Sequence, residues 1–159
     1  MGVSVARQTV AVDEMLFDQV AEATRTMVPD ELGALHLRPR RWALKAWFGP
    51  SEPTREHYEA QLLGPKHVPG AATLGLEIGF HAEHRDPADN DACLTRIQSS
   101  AGWRRDLGPE AEVGGFIGRP DQWRRVSEVW VDPDLSDEGL AWEIAARLTD
   151  YMLAIEPRR

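Results

Sequence analysis

The chain of 159 residues has a single cysteine, Cys93, so it cannot form an intramolecular disulfide. It also has no apolar run approaching the about 18 residues that a membrane-spanning helix needs. Residues 1–10 lack the long apolar region of a signal peptide. These absences predict a soluble, cytoplasmic protein whose thiol stays reduced.

Signatures of several enzyme classes are missing as well. No serine lies in the G-x-S-x-G context of a hydrolase nucleophile. The glycines of Val113–Arg119 lack the Lys-Ser/Thr ending of a P-loop and the spacing of a dinucleotide fingerprint, so we expect a bulged hairpin there. The formal net charge of −8 weighs against a general nucleic-acid binder, because such binding depends on neutralising phosphates. No cofactor is expected.

What the sequence does contain is the pattern of an ordinary globular domain. Hydrophobic residues make up 42% of the chain, and its length predicts one domain over residues 1–159, with 1–10 as a flexible arm. Helices are predicted at Val12–Val28, from Pro87 to about Ser100, and from Asp134 or Ser136 to Ile155, with a short turn at Trp103–Leu107. The five predicted strands are Arg40–Phe48, His57–Leu63, Thr73–His84, Glu112–Ile117 and Arg124–Val131.

The order α-β-β-β-α-β-β-α predicts an α+β domain in which helices pack on one face of an antiparallel sheet of about five strands. The third strand has the clearest alternation, with Leu76, Ile78 and Phe80 on the side expected to be buried. In element order, over most of its length, the chain resembles the type III secretion chaperones, which are also small and acidic. That resemblance implies a chaperone-like homodimer.

Chemistry-bearing side chains collect on the opposite side of the first three predicted strands. If these strands pair consecutively, one surface carries lysine, histidine and glutamate, which suits acid–base or metal chemistry. The same set is also what a solvated sheet face with cross-strand ion pairs would show. His84, three residues after His81, should point to the other face. The candidate polar face consists of Lys45, His57, Glu59, Gln61, Glu77, His81 and Glu83.

Six tryptophans are present. Trp42 is predicted to lie in the core, whereas Trp47 and Trp142 fall away from it and are candidates for an interface. Cys93 is expected to be buried and inert.

Three functions follow from these patterns. The leading one is a non-enzymatic protein-binding or chaperone-like module that forms a homodimer. The alternative is a small metal-dependent hydrolase or nuclease-like enzyme using Glu59, Glu77 and His81. A further alternative is a small-ligand-binding domain.

Overall fold

The computed structural model describes residues 15–159, which form a six-stranded antiparallel sheet packed against helices. The α+β class and the antiparallel sheet are therefore confirmed. The predicted arm and the predicted helix start at Val12 lie outside the described residues. The helices are α1 (Leu16–Met27), α2 (Pro87–Ser99), α3 (Trp103–Leu107) and α4 (Leu140–Ile155); the strands are β1 (Leu35–Pro39), β2 (Ala43–Phe48), β3 (Glu56–Leu63), β4 (Gly75–Ala82), β5 (Glu112–Phe116) and β6 (Arg119–Val131).

The sheet has the strand order β1-β2-β3-β4-β6-β5. β1 is a sixth strand that the sequence patterns do not predict, and it pairs with β2 at one edge of the sheet. The hairpin of β5 and β6 forms the other edge, with a register shift between Gly115 and Phe116, as expected for this glycine-rich segment. In the centre, β3 pairs with β4 along its whole length, and β4 pairs with β6.

The main core lies between the helices and one face of the sheet. Leu76, Ile78 and Phe80 of β4 are fully buried there, together with Ile144 and Leu148 of α4. The prediction that Leu76, Ile78 and Phe80 lie on the buried side of this strand is therefore confirmed. Burial of apolar surface on this side is the main source of stability that the fold offers.

The opposite face of the sheet differs from the predicted solvated surface. Every residue of β4 is buried, including those that point away from the helices. The reason is that the β5–β6 hairpin covers this face, with the ring of Phe116 packed on His81 and the ring of Trp123 packed on Phe116. Polar side chains of the central strands are therefore enclosed by protein.

Two tryptophan predictions are corrected by the structure. Trp42 is 41% exposed and lies outside the core, because β2 begins only at Ala43, after a turn closed by a hydrogen bond from Arg40 N to Ala43 O. Trp47 does point away from the helices but is only 3% exposed. The unpredicted strand β1 places His36 against the ring of Trp47. The Nε1 of Trp47 donates a hydrogen bond to Pro50 O at 2.8 Å. It therefore presents no open surface to a partner.

Within residues 15–159, the helices are all too short or too polar to cross a bilayer.

Candidate metal centre

Four ionisable side chains meet on the enclosed polar face, where β3 and the end of β4 lie side by side. The register puts His57 directly opposite His81, and Glu59 and Glu83 flank the pair. Each of these four residues offers one ligand atom, and all four atoms lie within 4.8 Å of one another. We call this group the His–Glu cluster.

The ring of His57 is fixed by the backbone of its own strand. Its Nδ1 lies 2.9 Å from Thr54 O, and since a carbonyl only accepts hydrogen bonds, Nδ1 is the protonated nitrogen. The side chain is 2% exposed. Its other nitrogen, Nε2, therefore points into the cluster and makes no hydrogen bond.

The ring of His81 is fixed by a buried carboxylate. Its Nε2 donates to Glu77 Oε2 at 3.0 Å, so Nδ1 is left to face the cluster, again without a hydrogen bond. A histidine held through one nitrogen by a carboxylate while the other points at an ion is a recurrent arrangement in metal sites. Both imidazoles are thus oriented with the second nitrogen toward one point.

Glu77 is itself held in place by three donors. In addition to His81 Nε2, its carboxylate accepts from Ser127 Oγ at 2.6 Å and from Gln61 Nε2 at 2.6 Å. Burial alone would raise the pKa of this carboxyl, but the charge on His81 and these hydrogen bonds lower it to about 2. Glu77 orients His81 from behind and is not among the four residues whose ligand atoms converge.

The close approach of β6 to β4 depends on Gly79, which lies between Glu77 and His81 on the same face. A Cβ atom at this position would lie 2.5 Å from the Cα of Ser127, in collision with the β6 backbone. The absence of a side chain thus brings Ser127 within hydrogen-bonding distance of Glu77.

The four histidine-to-glutamate distances within the cluster are close to those of a tetrahedral ion. His57 Nε2 lies 3.0 Å from Glu83 Oε2 and 3.6 Å from Glu59 Oε1, and His81 Nδ1 lies 3.4 Å and 3.9 Å from the same two oxygens. In a tetrahedral zinc site with bonds of about 2.1 Å, ligand atoms are about 3.4 Å apart. The cluster therefore needs only small side-chain shifts to close around an ion.

The electrostatics of the cluster require a cation at its centre. An imidazole lone pair and a carboxylate oxygen repel each other at these distances, so protons or a metal ion must lie between them. When protons occupy the cluster, burial by itself would lower the pKa of His81, because it disfavours the charged imidazolium. The carboxylates around the ring, Glu77 first among them, outweigh burial and raise the pKa of His81 to about 10. Burial would likewise raise the pKa of Glu83, yet the two histidines hold it well below its usual range.

One side of the cluster opens into a cavity of about 170 Å³. Glu59 and Glu83 form part of its wall, while His57 and His81 lie behind them in the protein interior. The other lining residues come from the β1–β2 turn, from β2 and from the covering hairpin: Arg40, Ala43, Lys45, Phe116 and Trp123. A small molecule entering this cavity meets the carboxylates first.

The structure brings all seven residues of the predicted polar face together, in three layers. Lys45, Glu59 and Glu83 line the cavity, His57 and His81 form the buried base, and Glu77 and Gln61 lie behind His81. Sequence patterns miss the covering residues Phe116 and Trp123. The bulge expected in Val113–Arg119 is their only local signal.

His84 and Cys93 do not belong to the cluster. His84 Nε2 lies 2.7 Å from Glu56 Oε2, and its backbone N–H donates to Asn90, as expected for a residue on the other face. Cys93 is fully buried, and burial raises the pKa of its thiol to about 12, which fits the expectation of an inert cysteine.

Comparison with protein-family models, with curated proteins and with solved structures finds no match for this chain. The resemblance to type III secretion chaperones therefore stays a prediction.

Proposed function

We propose that the protein is a metal-dependent hydrolase in which His57, His81 and Glu83 hold a divalent transition-metal ion. The observation that carries this proposal is the pair of buried imidazole nitrogens that make no hydrogen bond and face the same two carboxylates. A buried imidazole nitrogen that faces only carboxylate oxygens is stable only with a proton or a metal ion between them. The proposal corresponds to the metal-dependent alternative predicted from the sequence, with one change. Glu77, which the sequence predicts to take part in the chemistry directly, is here proposed to orient His81.

The roles of the two glutamates follow from their distances. Glu83 Oε2 is the oxygen nearer to both imidazole nitrogens, so it is the third ligand. Glu59 Oε1 lies farther from both and borders the cavity, so it is placed to act as general base. Two nitrogens and one oxygen suit Zn²⁺ and other first-row transition ions better than Mg²⁺, which prefers oxygen ligands and waters.

A metal ion bound here would lower the pKa of a coordinated water and polarise the substrate. Glu59 would take one proton from the attacking water while the water oxygen forms its bond to the electrophilic atom of the substrate. The bond to the leaving group then breaks with its electron pair, and the leaving group receives the proton from Glu59. The covering ring of Phe116 keeps bulk water away from His81.

Calorimetric titration of the protein with Zn²⁺, Mn²⁺ and Mg²⁺ tests the metal site. We expect one Zn²⁺ per chain, and weak or no binding of Mg²⁺. His57→Gln and His81→Gln should each abolish binding at micromolar metal. His84→Gln is the matched control, because His84 is also bonded to a glutamate but lies outside the cluster.

If a buried histidine variant fails to fold, Glu83→Gln takes its place, since this side chain borders the cavity. Binding that survives Glu83→Gln unchanged would show that the ion is not held by the proposed ligands, and wild-type protein that binds none of the ions would show that protons alone occupy the cluster. The proposal would then be abandoned.

Hydrolysis is tested separately with p-nitrophenyl phosphate and p-nitrophenyl acetate on the zinc-loaded protein. Glu59→Gln should keep the metal and lose about 10²- to 10⁴-fold in turnover, the usual contribution of a general base. A metal-loaded protein that cleaves neither compound contradicts the hydrolase while leaving the metal site intact.

The leading function predicted from the sequence, a protein-binding module that forms a homodimer, keeps one supporting observation. Trp142 is 60% exposed and Leu153 is 46% exposed. They lie about 20° apart around α4 by helical geometry, so they share one outer face. We propose self-association through this face as a second candidate. Sedimentation equilibrium should show a dimer that Trp142→Ala dissociates and Trp42→Ala does not, and a monomeric wild type would refute it.

The proposed compartment is the cytoplasm. Its support is the one buried, unpaired cysteine, which suits a reducing environment.

A further inference from the structure

Two cationic side chains at the cavity have no carboxylate partner within residues 15–159. Lys45 and Arg40 both line it, and neither makes an ion pair or side-chain hydrogen bond with any residue in 15–159. Lys45 lies opposite Glu59 in the β2–β3 register without pairing with it. Cations left unpaired beside a pocket are available to an anionic ligand.

The cationic groups at the cavity favour an anionic ligand with several oxygens. With Glu59, Glu83 and Glu77 charged, a divalent ion leaves one negative charge, so Lys45 and Arg40 bring the site to one net positive charge. Lys45, Arg40 and the ion together offer three cationic partners, which suits the three terminal oxygens of a phosphate better than the two of a carboxylate.

The size of the cavity limits what enters it. Its volume of about 170 Å³ is below the roughly 300 to 1,000 Å³ of ordinary ligand pockets. This is enough for a tetrahedral oxyanion but smaller than the pocket of a complete drug-sized ligand. The remainder of a larger molecule must therefore lie at the mouth.

The aromatic wall offers a surface for that remainder. Phe116 is held edge-on against His81 with ring centroids 4.7 Å apart, and Trp123 packs on Phe116 at 5.2 Å. Trp123 is half-buried and lines the cavity, and the Arg119 guanidinium lies 4.8 Å from its ring centroid, so only the part of the ring that lines the cavity is open to a ligand. An aromatic or other flat apolar group would contact it.

From these three features we infer that the substrate is a small phosphate monoester, with its phosphate beside Lys45 and Arg40 and its organic group against Trp123. This inference rests on the proposed function. A long polyanion fits less well, because the chain carries a net charge of −8 and the cavity takes only a terminal group. In the reaction, water adds to phosphorus, the ester P–O bond breaks, and the products are inorganic phosphate and an alcohol that takes the proton from Glu59.

The test uses zinc-loaded protein, desalted to remove free zinc, with inorganic phosphate and acetate as inhibitors of p-nitrophenyl phosphate hydrolysis. Phosphate should inhibit at least tenfold more strongly than acetate. Lys45→Met should weaken phosphate inhibition by about 10- to 100-fold, the effect of losing a charge-assisted hydrogen bond. Lys66, on a surface turn, is the only other lysine of the chain, so Lys66→Met is the matched control and should change nothing.

A second variant tests the aromatic wall. Trp123→Leu should raise the KM for p-nitrophenyl phosphate by about two- to tenfold while leaving inhibition by inorganic phosphate unchanged, because only the ester has a ring to lose contact.

The outcomes separate this inference from the proposed function. Absence of metal binding overturns both. Metal binding with phosphate no stronger than acetate, or with Lys45→Met indistinguishable from wild type, overturns the substrate class alone. Faster cleavage of a single-stranded oligonucleotide than of p-nitrophenyl phosphate would replace the small monoester by a nucleic acid.

Discussion

The carboxylate of Glu77 is the most informative single group to change, because it touches the proposed metal site only through His81. Replacing it by glutamine keeps its shape and removes its charge. The side-chain oxygen of the glutamine still accepts from His81 and Ser127, and its amide faces Gln61, which turns its own amide over to accept. The position of the His81 ring is therefore retained while its basicity falls.

The expected size of the effect follows from the role of Glu77 behind His81. Loss of a partner behind a metal-bound histidine costs about 10- to 100-fold in metal affinity. That loss corresponds to about 1.4 to 2.8 kcal/mol of binding free energy. Glu77→Ala should cost more than Glu77→Gln, because it also releases the ring of His81 and leaves the Ser127 hydroxyl without its acceptor.

The assay is calorimetric titration with Zn²⁺ at fixed pH, in two buffers of different ionisation enthalpy so that proton release is subtracted. Glu56→Gln is the matched control, because Glu56 also accepts from a histidine, His84, at a distance of 2.7 Å but away from the cluster. A zinc affinity of Glu77→Gln within twofold of wild type, or an equal loss in the control, would refute the role given to Glu77.

Three predictions concern the stability of the fold. Ile78→Ala should lower the free energy of unfolding by about 2 to 5 kcal/mol in a urea titration, because Ile78 is fully buried in the core, and a loss below about 1 kcal/mol would contradict its central place. Tyr151→Phe should cost about 1 to 2 kcal/mol, since the buried hydroxyl donates to Glu128 at 2.8 Å, and an unchanged urea midpoint would contradict this. Asp132 accepts from the backbone N–H groups of residues 72–74, which lower its pKa from 3.8 to about 2. Asp132→Asn should therefore destabilise the protein at neutral pH, by a difference that persists above pH 3.8 and disappears as the pH falls through 2; a difference independent of pH would contradict this.

The polar face illustrates how far sequence patterns lead. Strict alternation along the predicted strand Thr73–His84 places Glu77, His81 and Glu83 together on one side, and antiparallel pairing with β3 then brings His57 and Glu59 beside them. Period two is enough for this step, because a strand turns alternate side chains to opposite faces. The polar face that contains the His–Glu cluster is therefore predictable from the sequence, but which of its residues face one point is not.

What covers that face is not predictable in the same way. Phe116 and Trp123 come more than thirty residues after His81, and alternation within one strand says nothing about a hairpin that folds over it from elsewhere in the chain. Without this cover, the histidines are interpreted as solvated residues. The orientation of the two histidine rings is not predictable from alternation either. It depends on the hydrogen bonds of His57 to Thr54 O and of His81 to Glu77.

Errors at the sheet edge have a local cause. β1 is a five-residue strand that ends in Pro39, and it lacks the β-branched residues typical of strands. A sheet without β1 leaves Trp47 open to a partner, whereas in the structure this strand places His36 against the Trp47 ring. Trp42 is wrongly predicted in the core because it fits the alternation of apolar residues in β2. It lies one residue before Ala43, where the strand begins.

The central claim, that the His–Glu cluster is a metal site, is tested most directly by anomalous X-ray diffraction from crystals grown with Zn²⁺. We predict one strong peak at the zinc absorption edge, about 2.0 to 2.2 Å from both His57 Nε2 and His81 Nδ1 and bordered by Glu83. A map with no peak between the two imidazole rings, or with zinc only at surface side chains, would contradict the claim.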